Sequence, residues 1–160
     1  MQFLALLFIS FSTIAATAAA KTPWYDSIRK ISSESPESQK IIGELKKDKA
    51  FPAQVCESIK KVEHQEQTTH AVILFRLDSC WPELFAQVKK DPTWMTVQAL
   101  TSIHDRTPHP EWKQWVEDFM LSKEWKKQEA TLKFAVLNAV LAGKFAVSTA
   151  QLKSILAEDS

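Results

Sequence analysis

Two glycines among 160 residues leave this chain little means of turning β-hairpins, whose tight loops call for Gly or Asn at positive φ. No stretch longer than a few residues alternates apolar with polar, so the period-two signal of a half-buried strand is missing as well. Prolines do the punctuation instead. Pro36, Pro52, Pro82, Pro92 and Pro110 each stand where a helix would begin, a place that tolerates proline because the missing N–H had no partner there anyway. The spacing predicts short helices over 24–31, 36–47, 52–63, 67–78, 82–90, 92–104, 110–121, 123–142 and 149–157. The last is marked by a capping box of Ser148 with Gln151 and a hydrophobic staple of Val147 with Leu152, after a stop at Gly143. The fold class is all-α.

Apolar content varies between these segments. Residues 71–77 and 130–142 are apolar nearly all round, which predicts enclosed helices, with 130–142 the most buried; 110–121 carries a single stripe of Trp112, Trp115, Val116, Phe119 and Met120, as an outer helix would. Successive pairs also share residues. Pro82, Glu83 and Val88 match Pro110, Glu111 and Val116, while Ala71-Val72 and Phe75 fall opposite Ala99-Leu100 and Ile103, and Ala135-Val136 follow. Alternation of enclosed and outer helices in matching pairs resembles HEAT-like repeats over residues 67–157. That resemblance implies stacked helical hairpins, an α-solenoid. The shifts between pairs are unequal, so an irregular helical bundle is the alternative architecture.

The N-terminus gives an address. Phe3 to Ile14 is an apolar run that ends in small residues through Ala20, the pattern of a signal peptide over 1–20, and it is shorter than the roughly 20 apolar residues of a membrane span. Residues 21–160 then form one helical domain, exported to a periplasmic or extracellular compartment, with no transmembrane segment in the mature chain. A formal charge of +1, with lysine pairs scattered among acids, lacks the concentrated basic surface that nucleic acid requires.

Both cysteines, Cys56 and Cys80, lie in the mature region, and two thiols in an oxidising compartment normally pair. A disulfide there closes a loop of roughly 25 residues and contributes about 3 kcal/mol in the loop-entropy account. The wide spacing is unlike the Cys-x-x-Cys of a redox-active site.

No phosphate-binding glycine loop, nucleophile elbow, His-Glu-x-x-His or EF-hand loop occurs. The reading is of a protein without catalytic residues, metal or cofactor. One group of residues carries candidate metal chemistry, His104, Asp105 and His109 within the 104–109 loop, since imidazole and carboxylate are zinc ligands; two helix ends meeting in that loop explain the same residues. Of the six tryptophans, Trp81, Trp94, Trp112 and Trp115 read as core. Trp125 sits among Lys123, Glu124, Lys126 and Lys127 and reads as exposed; with Lys133 it is the candidate protein-binding residue.

The function expected is that of a non-enzymatic exported protein-binding or adaptor module, with an inhibitor or immunity-type protein as its sharper form, whose partner is another protein. The alternatives are a metal-dependent hydrolase using the 104–109 loop and a structural envelope component.

Overall fold

Among the described residues a proline occupies the first turn of four helices and a hydroxyl side chain caps two. The computed structural model describes residues 23–32 and 35–145; the expected leader 1–20 and the 149–157 helix with its Ser148 cap lie outside them. After α1 (Trp24–Arg29) the Ser35 hydroxyl accepts the Ser38 N–H at 3.1 Å and Pro36 opens α2 (Pro36–Lys47). Pro52 and Pro82 sit in the first turns of α3 (Phe51–Ser58) and α5 (Trp81–Lys90), and Pro110 opens α7 (Pro110–Leu121). Pro92 does not open a helix. Thr93 caps α6 (Trp94–Arg106) through a capping box in which the Thr93 hydroxyl accepts the Thr96 N–H and the Thr96 hydroxyl accepts the Thr93 N–H. Two reciprocal hydrogen bonds outweigh the proline's preference for a first turn, and α6 starts two residues later than expected.

Helix ends differ from the sequence expectation too. The predicted 52–63 and 67–78 helices become α3, a 3-10 turn (Val62–His64), α4 (Gln65–Phe75) and a second 3-10 turn (Asp78–Cys80). α4 stops because Arg76 turns left-handed (φ 52°), letting the Leu77 N–H reach back to the Val72 carbonyl at 3.0 Å, a Schellman-type closure without glycine. The expected single helix 123–142 is two elements, a 3-10 turn (Trp125–Lys127) and α8 (Ala130–Ala142), separated by extended backbone at Gln128 and Glu129. Gly143 is not the left-handed stop either. That role falls to Lys144 (φ 50°), while Gly143 stays right-handed and leaves room for the Phe145 ring, which would collide with any Cβ there.

Among the described residues there is no strand. The helices pack as successive pairs, α3 with α4, α5 with α6 and α7 with α8. α4, α6 and α8 lie side by side, with α6 in the middle and also against α5; α3 packs on α5, and α1 joins α4 and α2. α6 and α8 run parallel, because His104 near the end of α6 meets Phe145 just past the end of α8, ring centroids 5.4 Å apart.

This arrangement corrects the expected centre of the core. α6 is enclosed on three sides and buries Val97, Ala99, Leu100 and Ile103 completely. α8 buries only Leu132, Val136, Ala139 and Val140, leaving Phe134 67% and Leu141 75% exposed. An all-apolar helix satisfies the rule for an enclosed one, yet among the described helices α8 packs mainly against α6 and less against α7. Cys56 of α3 and Cys80 form the expected disulfide, tying α3 to the turn that feeds α5.

The tryptophans divide differently from the sequence reading. Trp112 is fully buried and Trp81 nearly so, but Trp94 is 39% exposed. Trp125 is 3% exposed and packs edge-on to Phe119 at 6.0 Å, with the Lys133 ammonium 5.9 Å from its ring. The flanking lysines and Glu124 point outward while the indole turns inward, so the expected exposed hot spot at Trp125 and Lys133 is replaced by a core contact covered by a cation.

Candidate functional site

α8 keeps Phe134 and Leu141 exposed, and its outward side adjoins a cleft of about 580 Å³ that follows the length of α6 and α8. α6 contributes Trp94, Gln98, Thr101, Ser102 and Asp105, and α8 contributes Thr131, Phe134, Ala135, Asn138 and Ala142; Ile73 of α4 closes one edge. Each set repeats at three- and four-residue intervals, which puts it on one face of its helix. Trp94 and Phe134 supply the large apolar surface, short side chains form much of the remaining wall, and Asp105 supplies a carboxylate. Beyond Trp94 and Ile73 the depression continues as a smaller hollow of about 280 Å³ bordered by Glu66, Thr69 and His70.

A second cleft of about 550 Å³ lies between α1 and α2. Its walls carry Lys30 and Lys40 beside Glu37, Glu44 and Asp48, so charges of both signs are mixed along it, and its apolar surface includes the partly buried Trp24 and Ile41. The α6/α8 cleft is the better candidate, since exposed apolar side chains clustered beside a concave surface mark interaction sites.

The His104–His109 loop does other work. The His104 Nδ1 accepts the His109 N–H at 2.9 Å, and the His109 ring lies flat on Trp81 with centroids 3.6 Å apart. Glu111 accepts the Trp81 indole N–H at 3.1 Å and comes within 3.4 Å of the His109 Nδ1. Asp105 turns away to the cleft. Nearby, Arg106 donates through Nε to Asp78 at 3.2 Å and also through Nη2, joining the end of α6 to the turn before α5. The bond between His109 N–H and the His104 ring thus ties α6 to the start of α7 while the His109 ring covers Trp81, and among the described residues no three His, Cys, Asp or Glu side chains converge as a metal site would need.

Burial, with His109 beside it, holds the His104 pKa below its ordinary value; Asp105 and Glu111 pull the other way without reversing the direction. The hydrogen bond from His109 N–H also requires a neutral imidazole. A lowered folded pKa means that the unfolded chain takes up the proton first. The stabilisation is therefore complete above the unfolded value of about 6.5 and is lost as pH falls through the range below it. Urea midpoints should drop between pH 7.5 and 5.5, and His104→Gln should flatten that slope; an unchanged slope in the variant would show that His104 is not its source.

Sequence reasoning missed Phe134 and Leu141, placed Trp94 in the core and offered Asp105 only as a metal ligand. The available signal was α8 itself, a helix apolar on every side. Among the described residues no helix is long and apolar enough to cross a membrane. No family model, curated protein or solved structure matches the chain.

Proposed function

We propose that this chain is an exported, non-enzymatic protein-binding module that receives its partner on the face formed by α4, α6 and α8. The observation that carries the reading is the pair of exposed side chains Phe134 and Leu141 on α8, beside the α6/α8 cleft. Leaving large apolar groups in water forgoes about 25 cal/mol for each Å² that a partner could cover. The Cys56–Cys80 bond supports the oxidising compartment that the leader suggests. The side-by-side row of α4, α6 and α8 supports reading the array as HEAT-like, since layered helices offer extended binding surfaces; the helices that pack together, α5 with α6 and α7 with α8, are not the α4/α5 and α6/α7 pairs that the sequence matches define.

The test is capture of partner from the exported fraction by immobilised wild-type chain and by Phe134→Glu. Because Phe134 is exposed, the variant should melt within a few degrees of wild type. Retained partner is expected to fall about 30-fold or more, the size of a hot-spot loss of about 2 kcal/mol. Equal capture by both chains would remove this face from the binding site.

A further inference from the structure

Which kind of protein segment fits the face can be argued from its backbone and its charge. α6 and α8 run parallel, and the cleft follows both from Trp94 to Asp105 and from Thr131 to Ala142, a span of about 17 Å at 1.5 Å per residue. Between their first and last turns both walls are helices whose N–H and C=O groups are paired within the helix, so an incoming extended strand would find no continuous edge to bond to. A segment entering an apolar cleft must then satisfy its own backbone, as a helix does. The walls suit one. Ser102, Ala135 and Ala142 are short enough for close approach, whereas Trp94 and Phe134 offer ring surface to an apolar stripe.

Charge sets the direction. Asp105 lines the cleft at the end where both α6 and α8 terminate, and helix C-termini add partial negative charge to that of the carboxylate. A cation belongs there. Resting on the protein-binding reading above, we propose that the α6/α8 cleft is a receptor for one amphipathic helix of about three turns, with an apolar stripe facing Trp94 and Phe134 and a Lys or Arg at the end beside Asp105.

The test pans a display library of 14-residue helix-forming peptides against the exported chain. Enriched peptides should carry apolar residues at i, i+3 or i+4, and i+7, with Lys or Arg at one common end, and should gain helical circular dichroism on binding. Phe134→Ala should weaken the leading peptide about 30-fold. Asp105→Lys, an exposed change, should weaken it about tenfold, and a peptide with Glu at that end should restore binding. Failure to enrich, peptides without helical period, or binding indifferent to both variants would overturn the inference. A photoreactive residue at position 134 that crosslinks to residues 146–160 of the same chain, or to a second copy, would also overturn it by assigning the cleft to the chain itself. Should the library fail while partner capture still depends on Phe134, the helix inference falls and the protein-binding reading stands; if capture is lost as well, both fall.

Discussion

Leu100→Asp should leave no cooperatively folded protein at 25 °C. Leu100 is fully buried on α6, the helix that packs against α4, α5 and α8 at once. An ionised carboxylate placed there loses its hydration inside an apolar cluster that includes Val72, Leu84, Ile103 and Val136. The cost rivals or exceeds the 5–15 kcal/mol that holds a domain together, and protonation, the usual escape, still leaves a polar group in an apolar site. Circular dichroism melts and protease sensitivity would show the loss directly. Leu137→Asp is the matched control. Leu137 is only partly buried on α8, so its carboxylate can reach water and a melting transition should survive. The reverse order of severity would put α8, not α6, at the centre of the fold.

Trp125→Ala should lower stability by about 3 kcal/mol or more, as much as Trp112→Ala. Trp112 is fully buried, stacked on Trp115 at 5.1 Å and edge-on to Trp81 at 6.4 Å. Trp125 has nearly the same burial, an edge-on contact with Phe119 and a lysine above its ring. Removing either indole leaves a cavity that the surrounding rings cannot close by moving one side chain. For a chain of this size about 3 kcal/mol corresponds to a fall in Tm of roughly 10 °C. A Trp125→Ala protein that melts like wild type would return Trp125 to the surface and reopen its candidacy as a binding residue.

Phe134 and Trp125 show why burial was misread in opposite directions. Sequence flanks decided the expectation for both: Trp125 stands among four charged residues, Phe134 within an apolar helix. Charges next in sequence do not share a direction with the residue between them, because a 3-10 turn points successive side chains about 120° apart. Lys126 and Lys127 can therefore be exposed while Trp125 is buried. An apolar neighbourhood misleads for the complementary reason. It shows what could be buried, while the number of helices packed around α8 decides how much is.

Local chemistry alone was enough for the helical class, for the starts of α2, α3, α5 and α7 at their prolines, and for the pairing of Cys56 with Cys80. These depend on bonds within a few residues, or on there being only two cysteines to join. Even the Thr93–Thr96 box that moved the start of α6 is local, and was legible as a Thr-x-x-Thr preceding an apolar-periodic run. The tertiary structure decided the rest: that α6 is the middle helix, that α8 keeps Phe134 and Leu141 exposed, that Asp105 faces a cleft while His104 and His109 close a joint. Those outcomes depend on which helix finds which neighbour, a choice made by the summed packing of faces far apart in the chain, and a face's apolarity does not say whether another helix or solvent will meet it.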